Sequence, residues 1–217
     1  MKKAIITGAT GMVGGIVLRE CLDSNEITQV TSISRKPSGM NHPKLVEVLH
    51  QDFLDYTGLE AHFRSQNIAY FCIGVYTGQV PDQKFKTITV DFTMAFTDLL
   101  KQHSPHARFC FLSGSGADPK EKSRMSFAKY KGMAENYLIR KAFPALYIFR
   151  PAYIYPVEKR REPNFTYRLT RRLYPLLKTI YPQGVITSEE LGQAMFNTGI
   201  YGAEKTVLEN QDIKAIL

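Results

Sequence analysis

Apolar residues in this chain fall into short continuous runs separated by amphipathic stretches, and that alternation sets the fold class. Residues 3–7 read as a strand, 30–34 as a second, 45–49 as a third, 68–73 as a fourth, 108–112 as a fifth and 146–149 as a sixth. Val13, Val17 and Cys21, flanked by Met12 and Ile16, share one helical face after the first strand. Phe85, Ile88, Phe92, Ala95 and Leu99 alternate at spacings of three and four, which predicts a helix over 85–102; residues 123–141 read as another. Near-continuously apolar strands separated by helices predict an α/β fold, a doubly wound parallel sheet covered on both faces and joined by right-handed crossovers.

After Pro151 the pattern changes. Pro151, Pro156, Pro163, Pro175 and Pro182 interrupt the remaining chain, which predicts loops and short helices over one end of the sheet. We expect one domain over 1–217, with residues 151–185 as a small C-terminal cap on the substrate side. Thr187-Ser188-Glu189-Glu190 fits a capping box that starts a helix running to about Ile200. No internal repeat or low-complexity segment interrupts this plan.

The first strand breaks into Thr7-Gly8-Ala9-Thr10-Gly11-Met12-Val13-Gly14, three glycines at three-residue spacing between a strand and a helix. Gly8 allows a tight turn, Gly11 lets backbone approach a pyrophosphate, and Gly14 lets the helix pack closely on the strand. The helix then opens with unpaired N–H groups and the positive end of its dipole aimed at the phosphates. Thr7, Gly8, Thr10, Gly11, Met12 and Val13 are therefore candidate cofactor residues.

Open sheets of this kind bind ligands beyond the carboxyl ends of their strands, so those ends are read together. Ser34-Arg35-Lys36 follows the second strand where an NAD site would carry an acid on the ribose diol. An acid would repel a 2′-phosphate, whereas Arg35, with Lys36, can clamp one; this favours NADP over NAD, against a merely solvated arginine. Asp52 and Phe53 after the third strand offer a carboxylate and an aromatic ring suited to adenine. Gly74 and Tyr76 follow the fourth strand, where backbone passes close to the cofactor.

The 217 residues carry a net charge of +8, unevenly spread. Residues 158–178 hold Lys159, Arg160, Arg161, Arg168, Arg171, Arg172 and Lys178 against Glu158 and Glu162 only. That segment suits an anionic substrate, a membrane surface or a partner, or is a solvated helical face. No reader motif accompanies it, so nucleic acid is not expected. Only three apolar residues follow Met1-Lys2-Lys3 before Thr7-Gly8, so neither a secretory signal nor a membrane span is expected. Cys21, Cys72 and Cys110, odd in number and set in apolar patterns, read as buried thiols in a reducing cytoplasm. His42, His50, His62, His103 and His106 have no ligating spacing, and no metal is expected.

With these residues in order, the chain resembles the extended and atypical short-chain dehydrogenase/reductase superfamily. The glycine turn, Asp52-Phe53, Cys72-Ile73-Gly74 and Phe149-Arg150-Pro151-Ala152 carry the likeness, which covers about residues 3–200. It is similar above all to small members related to epimerase/dehydratases and to the Tat-interacting-protein group. The resemblance implies a Rossmann fold, a nicotinamide cofactor, Arg150 and Pro151 near that cofactor, and a substrate pocket formed by the C-terminal third.

The resemblance also implies a serine and a Tyr-x-x-x-Lys pair, in which an ammonium lowers the phenol's pKa so that it shuttles a proton. Here Lys131-Gly132 matches the lysine and the small residue after it, but position 127 is phenylalanine. Tyr130 adjoins Lys131 about 100° round the helix and so is a packing residue before it is a donor. Ser113 and Ser115 lie on either side of the expected serine. The candidate catalytic residues are thus Lys131, Ser113, Ser115 and Tyr130, with Tyr76, Tyr153 and Tyr155 as alternative donors from the pocket side. Two functions follow: an NADP-dependent oxidoreductase or epimerase-like enzyme on a small, anionic substrate, or a non-catalytic NADP-binding regulatory protein or scaffold. The apolar stripes of residues 85–102 and 123–141 permit a homodimer.

Overall fold

The computed structural model describes residues 1–158, Tyr174 and residues 179–217. Its central sheet is wholly parallel and has the order β3-β2-β1-β4-β5-β6-β9. The strands are β1 Lys2–Thr7, β2 Ile27–Ser34, β3 Leu45–Leu49, β4 Ile68–Phe71, β5 Arg108–Leu112, β6 Ala145–Arg150 and β9 Val207–Glu209. Helices α1 (Met12–Asp23), α4 (Phe92–His103) and α5 (Ser126–Arg140) supply the crossovers that the apolar pattern predicts. A second sheet pairs β7 (Tyr153–Tyr155) with β8 (Val185–Thr187), also in parallel.

Alternate residues of each strand feed two separate cores, which is why the strands read as unbroken apolar runs. On one face Ala4, Ile6, Tyr70 and Cys110 pack with Val17, Leu18 and Cys21 of α1, and with Leu191 and Met195 of α6 (Ser188–Tyr201). On the other, Ile5, Phe71, Phe109 and Ile148 pack with Phe96, Leu100, Ala134 and Leu138 of α4 and α5. Thr187 caps α6: its hydroxyl accepts from the Glu190 amide at 3.1 Å while Glu190 accepts from the Thr187 amide at 2.8 Å. That box is the one the sequence announces.

Several elements differ from the sequence pattern. The helix expected over 85–102 starts earlier, as α3 (Asp82–Lys86), and passes through a π turn at Thr87–Asp91 before α4. The strand expected to end at residue 73 ends at Phe71, because Gly74 and the following loop line a cavity instead of pairing. Among the described residues, the C-terminal third contributes β7, β8, β9 and α7 (Asn210–Ala215), four elements too short to show a period. Short α2 (Glu60–Phe63) was likewise invisible. Residues Lys159, Arg160, Arg161, Arg168, Arg171, Arg172 and Lys178, the basic segment singled out above, lie outside the described residues, as does most of the expected cap.

Candidate functional site

The glycine turn is built as its spacing demands. Gly8 has φ +78°, and a Cβ there would lie 2.6 Å from the Cys72 carbonyl carbon and oxygen. A Cβ on Gly14 would lie 2.2 Å from the Gly8 oxygen. Turn, helix and the chain just past β4 therefore approach backbone to backbone, which only glycine allows. Gly11 precedes α1 without a side-chain cap, and the first turn of α1 holds no acid. The opening N–H groups of α1 are thus left for a ligand, and the dipole favours an anion. A pyrophosphate fits this cradle.

Beyond the strand ends lies a cavity of about 480 Å3, lined by Gly11, Met12 and Val13 from the turn and by Gly74 and Tyr76 after β4. Ser113 and Gly114 after β5, Phe127 and Lys131 of α5, and Pro151 and Tyr153 close its other side. A second cavity of about 480 Å3 shares Gly11 and Met12 and extends past Thr10 and Ser38 toward Arg19 and Glu158.

Phe127, Lys131 and Glu135 succeed one another at four-residue spacing on the inner face of α5. The Phe127 ring lies against Gly114, where a Cβ would approach it to 2.5 Å. Lys131 donates from Nζ to the Leu112 carbonyl at 2.9 Å and sits 5.2 Å from the centre of the Phe111 ring. Burial pushes its ammonium down from the usual 10.5 to about 8, with Glu135 opposing the shift. Ser113 donates its hydroxyl proton to the Glu135 carboxylate. That carboxylate is buried and takes a two-point clamp from Arg150, from Nε at 3.0 Å and from the terminal nitrogen at 2.5 Å. Arg150 also donates to Glu209 at 3.0 Å.

Of the candidate catalytic residues, the fold brings Lys131 and Ser113 to the cavity and leaves the other two aside. Tyr130 donates to Asp82 at 2.6 Å on the surface and packs near Phe85, the packing role its helical position implied. Ser115 is exposed, and its backbone N–H donates a hydrogen bond to the Pro151 carbonyl at 2.9 Å, which fixes the loop. Among the cofactor candidates, Thr7 is fully buried at the end of β1 and does not line the cavity. The Phe53 ring is 4 % exposed and packed on Tyr56 and Phe92, so it belongs to the core and offers adenine no face. Arg150 is turned to Glu135 and Glu209 instead of to the cavity, which Pro151 does line. Arg35 and Lys36 are exposed just past the end of β2, and Asp52 caps the Leu54 amide at 2.9 Å. Tyr76 and Tyr153 line the cavity, while Tyr155 stacks on Tyr174 at 3.8 Å.

Glu135 was missed by the sequence reading, although its place four residues after Lys131 puts it on the same face. All three cysteines are buried as free thiols, and burial raises the Cys72 thiol to about 12. Among the described residues no helix is long and apolar enough to cross a membrane.

The depressed Lys131 value has a measurable consequence. Below pH 8 both folded and unfolded chains carry the proton, and the cost of the buried cation is fully present. Between about 8 and 10.5 only the unfolded chain remains protonated, so this group's contribution rises with pH, by up to about 1.4 kcal/mol per unit. The melting temperature of the wild type, measured against that of Lys131→Met, is expected to shift in favour of the wild type from pH 7 to 9.5. A difference that stays flat over this range overturns the assignment.

A family model described as NAD(P)H-binding matches residues 8–161. Protein HTATIP2 of Rattus norvegicus is 26% identical over 153 residues, covering 69% of this chain. The chain spans 62% of that relative's length. The Bordetella bronchiseptica enzyme WbmH, solved in complex with NAD+, matches the structure with a TM-score of 0.71 at 15% identity, over 96% of this chain and 74% of that one. A UDP-glucuronic acid 4-epimerase from Bacillus cereus, solved with NAD, gives 0.70 at 15% identity over 95% and 77%. Likeness at such identities carries the fold and leaves the chemistry to the site.

Proposed function

The chain belongs to the NAD(P)H-binding family, and from that premise we propose that it is an NADP-dependent oxidoreductase or epimerase-like enzyme acting on a small molecule. One observation carries the proposal. The uncapped, acid-free start of α1 and the buried Lys131 line the same cavity. In this reading the first amides of α1 hold the pyrophosphate, Lys131 holds the hydroxyls of the nicotinamide ribose, and Arg35 with Lys36 takes the 2′-phosphate. The nicotinamide, when bound, supplies or accepts a hydride. Three buried free thiols support a reducing compartment, the cytoplasm.

Phe127 cannot donate a proton, so this chain's residues must manage it differently. Ser113 spends its proton on Glu135, which turns its oxygen toward the cavity as an acceptor for a substrate hydroxyl. Tyr76 and Tyr153 are the phenols within the cavity wall. The second reading, a cofactor-binding regulator without turnover, draws its support from Phe127 alone.

Thermal-shift titration with NAD, NADP and their reduced forms tests the first step. NADP is expected to stabilise the protein at lower concentration than NAD, and Arg35→Asp is expected to reverse that order, since it replaces a cation with a charge that repels phosphate. No response to any dinucleotide overturns both readings. Wild type and Phe127→Tyr are then compared on aldehydes and nucleotide sugars. Turnover by the wild type rules out the regulator, and turnover by the variant alone supports it.

A further inference from the structure

Two cavities flank the Gly11-Met12 step of the turn, and the nicotinamide end of the proposed cofactor accounts for only one. The second is walled by the hydroxyl residues Thr10 and Ser38, and by Arg19 and Glu158. Arg19 belongs to α1 and lines this cavity together with Thr10, which lies in the turn before that helix. Ser38 lies two residues past Lys36, so this cavity adjoins the end of β2 where Arg35 and Lys36 stand. Across it, Arg19 pairs with Glu158 at 3.5 Å, and the two side chains remain 50% and 77% exposed.

A long, exposed pair of this kind is weakly held and salt-screened. A phosphomonoester carries nearly two charges at neutral pH and presents three acceptor oxygens, so it competes well for a guanidinium held by one carboxylate. The same carboxylate repels it. We propose that Arg19 is a second clamp for the 2′-phosphate of NADP, and that Glu158 occupies Arg19 until the cofactor displaces it. The preference for NADP over NAD is then set by residues 139 positions apart, and the Arg19–Glu158 pair opens on binding. This inference rests on the NADP reading given above.

The test measures dissociation constants of NADP+ and NAD+ by calorimetry for the full chain, Arg19→Gln and Glu158→Gln, at low salt and in 0.5 M KCl. Melting temperatures without ligand check that each variant folds. Arg19→Gln is expected to weaken NADP+ about tenfold, and Glu158→Gln to tighten it about threefold to tenfold, with NAD+ unchanged in both and each difference shrinking in KCl. If the wild type prefers NADP+ and neither variant alters the ratio of the two constants, the inference fails while the NADP reading stands. Equal effects on NAD+ and NADP+ also overturn it, because they place Arg19 on a part common to both cofactors. A wild type that shows no preference overturns the NADP reading itself, and this inference with it.

Discussion

Arg150→Met is expected to lower the free energy of unfolding by about 3–5 kcal/mol, the cost of leaving a buried carboxylate without its cation. The side chains of Arg150 and Glu135 are 15% and 2% exposed, and they meet through two nitrogens and both carboxylate oxygens. Removing the cation leaves Glu135 with the Ser113 hydroxyl and the distal charge of Lys131, which already bears its own burial cost. Two controls isolate the effect. Glu209→Gln removes the charge of the outer partner of Arg150, which is half exposed, while keeping a side-chain oxygen to cap α7, and is expected to cost no more than about 1 kcal/mol. The double variant Glu135→Gln, Arg150→Met leaves no uncompensated charge and is expected to recover part of the loss. Chemical denaturation of the four proteins checks this; a single variant no less stable than the double one sinks the account. The clamp also bears on the site. Glu135 orients Ser113 and sits one turn from Lys131, so Arg150 acts on the cavity from behind without lining it.

How legible this was in the sequence differs by element. The parallel sheet was legible because every strand feeds both cores: Ile5 and Ile6, or Phe109 and Cys110, go to opposite faces and are all buried. The glycine turn and the capping box of α6 were legible because each is a local steric or hydrogen-bonding demand with a fixed spacing. Strands of three residues such as β7, β8 and β9 were not, since their pairing depends on partners far along the chain. The site followed the same division. Lys131 and Phe127 could be read from helical spacing. The role of Arg150 could not, because Glu135 and Glu209 reach it only through the packing of α5 and β9 against β6. Phe53 failed for a related reason: an aromatic residue beyond a strand end suits adenine by position, but its ring turned inward toward Tyr56 and Phe92.

Gly132→Ala is expected to be as disruptive as Arg150→Met, by a different route. A Cβ on Gly132 would lie 1.8 Å from the Asp118 carbonyl oxygen and 2.6 Å from its carbon, both backbone atoms that no rotamer change can move. The Asp118 amide is in turn bonded to the Ala128 carbonyl at 2.9 Å, so the loop after β5 and the first turns of α5 are locked together at this contact. Relief requires α5 to withdraw by an ångström or more, breaking that bond and loosening the packing of Ala134 and Leu138 on the sheet. Overpacking of this kind costs about 1–3 kcal/mol, and a backbone collision lies at or above the upper end. The withdrawal also carries Lys131 and Phe127 away from Ser113 and Gly114, which widens the cavity on its reactive side. Gly14→Ala makes the matching test on the other wall, where the collision is with the Gly8 oxygen. On the proposed placement of the cofactor, Gly132→Ala should lower the melting temperature and weaken binding of the nicotinamide nucleotide, yet leave binding of 5′-ADP, whose proposed contacts lie on the turn side, nearly unchanged. Gly14→Ala should weaken both ligands, because it displaces the amides proposed to hold the phosphates. If Gly132→Ala loses 5′-ADP to the same degree as the dinucleotide, the two walls are not separable, and Lys131 has no distinct place on the nicotinamide side.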